Sequence, residues 1–163
     1  MPIIDSFLGE LDHESRNTTR MLERVPNDNP DWTPHPKSMP IRKLAWHIAT
    51  LPARIGLMLR ESEFDILSAR PPDPPDDTAS IVAAYARHLA DLRAFLATLD
   101  DAALKATFTL RRGSQVVLTL PKAAVIRTIL MNHTVHHRAQ LGVYLRLLDI
   151  PVPAMYGTSA DEA

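Results

Sequence analysis

The sequence predicts an all-α fold, a four-helix bundle, and three observations carry that prediction. Apolar residues recur at helical spacing along four separate stretches of the chain. The 14 prolines gather mostly between those stretches, at 26–40, 71–75 and 151–153, with isolated ones at 2, 52 and 121. No stretch alternates over a length that would require a large sheet, so helices must cover one another. With 163 residues, 45% hydrophobic and 23% charged, the chain suits one globular domain. That domain is expected to span residues 1–163, with a disordered tail from about 158 to 163.

The first helix is read from Ile3 to Val25, where Ile4, Phe7, Leu8, Leu11, Thr18, Met21, Leu22 and Val25 follow the period. Pro26 stops it, because the residue before a proline is pushed out of the helical region. Asn27 to Pro36 reads as an extended loop. The second helix opens at Ser38, with Pro40 in its first turn, where a missing N–H costs nothing. Its stripe is Ile41, Leu44, Ile48, Leu51, Ile55, Met58 and Leu59, and Pro52 inside it predicts a kink.

Arg70-Pro71-Pro72-Asp73-Pro74-Pro75 is a stiff linker. The third helix starts between Asp76 and Thr78 and carries Ile81, Tyr85, Leu89, Leu92, Leu96 and Leu99. Thr107 to Thr119, rich in Thr, Val and Phe around Arg112-Gly113-Ser114, reads as a short β-hairpin or an extended excursion. The last helix follows Pro121 and runs to about Leu148, before Ile150-Pro151.

Composition narrows the function. The net charge is -1, with 18 basic and 19 acidic residues and no basic run, which argues against a nucleic-acid or anionic-membrane partner. The absence of cysteine excludes disulfides, thiolate metal sites and a cysteine nucleophile, so any thiol must come from a second molecule. No apolar run of about 18 residues or signal-peptide pattern is present, and the expected location is the cytoplasm.

The histidines carry the chemistry. In the last helix the stripe Ile126, Leu130, His133, His137, Leu141, Tyr144, Leu148 places His133 and His137 one turn apart on an apolar face. That spacing lets two imidazoles reach one ion, as in half of a zinc-protease motif, but Thr134 stands where such a protease has its glutamate. His47, between Leu44 and Leu51, offers a third ligand from the second helix. Three neutral imidazoles suit zinc, nickel, copper or iron and leave a coordination position open. A histidine on an apolar face is more often a hydrogen-bonded core residue, so spacing alone leaves both readings open. His136 falls toward the edge of the stripe, and His13, His35 and His88 read as surface residues.

The run His133-Thr134-Val135-His136-His137-Arg138-Ala139-Gln140-Leu141, then Tyr144-Leu145-Arg146 and Pro151-x-Pro153-x-x-Tyr156-Gly157, resembles the DinB-like superfamily. This superfamily includes YfiT-like metal-dependent hydrolases and thiol-dependent S-transferases. Ser38-Met39-Pro40-Ile41-x-x-Leu44-x-Trp46-His47-Ile48 is similar to its second-helix signature. The resemblance implies a four-helix bundle that forms a homodimer. It also implies a divalent metal, often nickel or zinc, on His47, His133 and His137. Ala139 replaces a glycine common in the family.

On this basis the expected activity is attack of a small thiol or of water on an electrophilic small molecule, as in an S-transferase or hydrolase, with a low-molecular-weight thiol as cosubstrate. Trp32, Trp46 and Tyr156 are candidates to line the cleft, and Asn132 and Gln140 to orient ligands or substrate. Arg138 and Arg146 read as surface ion-pairing residues. The same three histidines would equally serve a non-catalytic metal-binding or small-molecule-binding stress protein.

Overall fold

The computed structural model describes residues 2–68 and 72–162, so Arg70 and Pro71 of the expected linker lie outside the described residues. It is mostly helical, with a small three-stranded sheet. The elements run α1 (Ile3–Leu22), α2 (Ile41–Arg60), β1 (Glu63–Asp65), α3 (Thr78–Leu96), α4 (Asp101–Lys105), β2 (Thr107–Arg112), β3 (Gln115–Pro121) and α5 (Lys122–Val125). A π-helical stretch (Ile126–Asn132) and α6 (His133–Leu147) complete the last helix. α2 packs on α3 and α6, and α1 packs on the same two helices.

α1 ends three residues before the expected Val25, because Arg24 and Val25 donate to the carbonyls of Met21 and Leu22 in tightened turns. α2 begins at Ile41, with Pro40 just outside it, and Pro52 is accommodated in its interior. Asp77 caps α3 by accepting from the Ser80 N–H at 2.7 Å.

The hairpin expected before the last helix is β2–β3, paired antiparallel with Phe108 opposite Leu120. Its turn residue Gly113 has φ +59°, a conformation that a side chain would strain. The sequence reading missed β1, which pairs parallel to β2, and the single-turn α4. Asp65 at the end of β1 accepts from the Leu67 N–H at 2.9 Å and the Gly113 N–H at 3.0 Å, tying strand to turn.

The core has two parts. Phe7, Ile55, Leu59, Leu96, Phe108 and Val125 join the helices to the sheet at one end. Leu22, Leu44, Ile48, Ile81, Leu141 and Leu145 fill the other. Each buried aliphatic or aromatic side chain here contributes about 1.5–3 kcal/mol relative to exposure.

Residues 158–162 of the C-terminal tail lie along α1 and α6, and Ala163 lies outside the described residues. Glu162 pairs with Arg20 and Arg24, and Asp161 lies 2.5 Å from Arg146 while accepting from the Val152 N–H at 2.8 Å. Among the described residues, no helix is long and apolar enough to cross a membrane.

Candidate metal centre

α2 brings His47, and α6 brings His133 and His137, to one point. His133 Nε2 lies 3.1 Å from His47 Nε2 and 2.8 Å from His137 Nε2, and the ring centroids of His47 and His137 are 4.6 Å apart. One ligand atom from each residue falls within 4.8 Å of the other two, so the group could hold a metal ion.

The hydrogen bonds fix which atoms face inward. The side-chain oxygen of Gln140 is 2.9 Å from His137 Nδ1. That oxygen can only accept, so Nδ1 carries the proton and a neutral His137 turns an Nε2 lone pair toward the other two rings. A proton on His133 Nε2 can point at only one of its two neighbours, whereas a cation can meet all three lone pairs. The donor set therefore fits a divalent ion of the imidazole-preferring kind.

Electrostatics favours the same state. Burial first, then the neighbouring imidazoles of His137 and His133 and the Arg54 guanidinium, push His47 down to about 4. Burial, His137, His136 and Arg54 push His133 down to about 4 as well. Burial and His136 also lower His137, against the Gln140 hydrogen bond, which raises it. At neutral pH all three are neutral imidazoles, the form that binds metal.

Local structure explains how α6 can offer two of them. The seven residues before His133 form the π-helical stretch, a geometry often found beside functional sites. Ile126, Leu130, Leu141 and Tyr144 of the expected stripe are buried, but between them Thr134 and Arg138, 9% and 2% exposed, take the buried positions in place of the two histidines. His133 and His137 are half-buried beside them, where an ion stays reachable from outside. On α2, the Thr50 hydroxyl, two residues before Pro52, donates to the carbonyls of Trp46 and His47 at 2.9 and 3.2 Å.

His47 borders a cleft of about 280 Å3 between α2 and α3, lined also by Trp46, Leu51, Arg54, Leu57 and Arg87. With His133 it borders a second space, of about 210 Å3, closed by Ile66, Leu110 and Ile129. The sheet thus forms part of the wall beside the histidines.

Of the residues expected near this centre, Trp46 and Gln140 lie there. Trp46 donates its indole N–H to the Pro72 carbonyl at 2.7 Å, which holds the ring at the cleft. Trp32 packs edge-on to Tyr144, with ring centroids 5.6 Å apart, against the core rather than in the cleft. Asn132 is exposed, and so is His136, whose ring meets the edge of His137 at 4.9 Å.

Tyr156 belongs to a different cluster, with its hydroxyl on Arg138 and 2.7 Å from Glu14 Oε2. Arg138 is not the surface residue expected. It is 2% exposed and donates to the Glu14 carboxylate at 2.6 Å and to Thr18 Oγ1 at 3.1 Å, a position that its place beside His137 in the sequence does not announce.

His88, expected at the surface, lines the cleft. Its Nδ1 lies 2.9 Å from the Ala49 carbonyl oxygen, so it must donate there, and a neutral His88 keeps an accepting Nε2. That Nε2 has no partner among the described residues. The signal was available in the sequence, since His88 lies between Tyr85 and Leu92 at helical spacing.

Comparison with known proteins agrees with this architecture. A family model described as the DinB superfamily matches residues 10–141. The chain is similar to YrdA of Bacillus subtilis (strain 168), an uncharacterized protein, at 24% identity over 159 residues, covering 98% of this chain and 91% of YrdA. It superimposes on a DinB-like protein from Bacillus cereus ATCC 10987 with a TM-score of 0.75 at 21% identity, covering 93% of this chain and 97% of that one. A DinB-like protein of Bacillus subtilis, YjoA, gives 0.72 at 17% identity, covering 94% and 99%. At these identities the two structures bear on the fold alone.

Proposed function

The chain belongs to the DinB superfamily, and from that premise we propose that it is a metal-dependent enzyme whose His47, His133 and His137 hold nickel or zinc. Its reaction is attack of a small thiol, or of water, on an electrophilic small molecule. The observation that carries this reading is the convergence of three Nε2 atoms on one point, with His137 held in its metal-binding tautomer by Gln140.

A divalent ion in such a three-imidazole set supplies Lewis acidity and lowers the pKa of a thiol or water toward neutrality. The remaining work falls to the chain. Trp46, Leu51 and Leu57 give the cleft apolar walls that hold the body of a small substrate and limit water beside His47. His88 Nε2 can accept a proton from the attacking group, because its Nδ1 hydrogen is committed to Ala49. With no cysteine in the chain, the thiol route requires a free thiol as cosubstrate.

The four helices α1, α2, α3 and α6 act in this reading as one bundle framing the centre. The same reading takes the protein as a cytoplasmic homodimer, for which exposed Val143 and Leu147 on α6 are available. Sedimentation at micromolar concentration measures that state directly.

The test starts with metal content by inductively coupled plasma mass spectrometry on untagged protein, beside the His47→Ala/His137→Ala double variant. About one equivalent of metal per chain, lost in the variant, is expected. Wild-type protein that stays metal-free after exposure to nickel and zinc would overturn the reading. A metal-loaded protein that turns over no combination of several thiols and electrophiles would leave a non-catalytic metal-binding or small-molecule-binding protein instead.

A further inference from the structure

The cleft beside His47 contains two guanidinium groups and no carboxylate. Arg54 enters it from α2 and Arg87 from α3, and neither Asp nor Glu is among its lining residues. Arg20, Arg93, Arg111, Arg127, Arg138 and Arg146 each meet an acidic side chain, whereas among the described residues Arg16, Arg60 and Arg112 also lack one but stand outside this cleft. Among the described residues, neither Arg54 nor Arg87 has a salt-bridge partner.

Arg54 is half-buried, and its one hydrogen bond is a long one, 3.4 Å from Nη2 to the Ile66 carbonyl. Most of its fork of donors is therefore uncommitted. A partly desolvated cation with no counter-ion is costly unless something anionic meets it. Its charge reaches the histidines, since Arg54 lines the same space as His47 and His133. A divalent ion on three neutral imidazoles would leave its charge uncompensated by any protein carboxylate, and so would add to the same positive potential.

We propose that this cleft binds a small-molecule carboxylate, anchored by Arg54 with Arg87 at the cleft mouth, its apolar body against Trp46, Leu51 and Leu57 and its reacting end toward His47. Carboxylate is favoured over phosphate by what lines the space. Guanidinium matches a carboxylate through paired, parallel N–H bonds. Phosphate sites characteristically add free backbone N–H groups at a helix N-terminus. Here the walls come from the bodies of α2 and α3, where backbone N–H groups are spent within the helix. A volume of about 280 Å3 fits a compact acid rather than a large conjugate.

This inference deepens the proposed function by naming the class of substrate. Binding is measured with and without metal, so that the two readings can fail separately. The probes are phenylacetate, phenylacetamide and inorganic phosphate. They are titrated into metal-free and zinc-loaded protein, and the indole N–H resonance of Trp46 is followed by NMR.

In both forms, phenylacetate is expected to bind about tenfold tighter than the uncharged amide. Arg54→Gln should erase that preference, Arg54→Lys should restore part of it, and Arg87→Gln should weaken it less. Equal binding of acid and amide by wild type would overturn the proposal, as would no binding of phenylacetate or tighter binding of phosphate. A preference seen only with zinc and untouched by Arg54→Gln would assign the carboxylate to the metal, overturning the role of Arg54 while leaving the metal centre standing.

Discussion

The side-chain oxygen of Gln140 lies 2.9 Å from His137 Nδ1, three residues away on the same helix. Among the described residues, neither His47 nor His133 has a comparable Nδ1 partner. One residue outside the ligand set thus decides which nitrogen of His137 is available to an ion.

Gln140→Leu is accordingly expected to weaken metal binding by roughly 10- to 100-fold without unfolding the protein, since the loss of such an orienting partner has that typical effect. Gln140→Glu keeps an acceptor in place and should retain affinity. Competition against a chelator of known affinity, with melting as the control for folding, measures both. Equal affinity in Gln140→Leu and wild type would mean that the tautomer is set by something else.

The metal-free protein should lose stability as pH falls from about 6.5 to about 4. His47 and His133 have folded-state values near 4, lowered chiefly by burial, while the unfolded chain takes up protons at the ordinary 6.5. Between these values the unfolded state binds more protons, so stability is fully present above 6.5 and declines as pH falls through that window. Asp77, held low by the Ser80 hydroxyl and N–H, and Asp161, held low by Arg146, add losses only at more acid pH. Urea midpoints from pH 7 to pH 4 should slope in wild type and flatten in a His47→Leu/His133→Leu variant. A wild-type profile flat down to pH 4 would contradict these lowered values.

Much of the fold was legible because each long helix carries its own apolar stripe. Ile41, Leu44, Ile48, Ile55 and Leu59, read from spacing, are all fully buried. The three histidines were legible for the same reason: i and i+4 on one helix are neighbours whatever the tertiary structure. What stayed hidden depends on distant partners. β1 is three residues long and exists by pairing with β2, more than forty residues later. The π-helical stretch leaves no trace in a pattern read at a 3.6-residue period. Tyr156 and Arg138 share a cluster with Glu14 because the tail folds back over α1, which no local spacing encodes.

Gly113→Ala should destabilise the hairpin by about 1 kcal/mol. Its φ of +59° belongs to the left-handed region, and nothing nearer than Leu67 Cδ1 at 3.9 Å would crowd the added carbon, so strain rather than collision sets the cost. Thermal melting of the variant measures the loss. An unchanged melting temperature would mean that the turn relaxes to another conformation.

Arg138 offers the sharpest separation of scaffold from chemistry. It sits next to His137 in sequence, so its loss could be mistaken for loss of a catalytic group, yet its guanidinium faces Glu14, Thr18 and Tyr156. Arg138→Ala leaves the mostly buried Glu14 carboxylate without its cation and is expected to cost about 3–5 kcal/mol. Replacing both partners, as in Glu14→Gln/Arg138→Met, removes the unpaired charge and should recover a large part of that loss. Metal affinity in the double variant should stay close to wild type, because neither residue touches the three imidazoles. Urea denaturation gives the stability terms and chelator competition gives the affinity. A double variant as unstable as Arg138→Ala would show that Arg138 is needed for its contacts to Thr18 and Tyr156 rather than to neutralise Glu14.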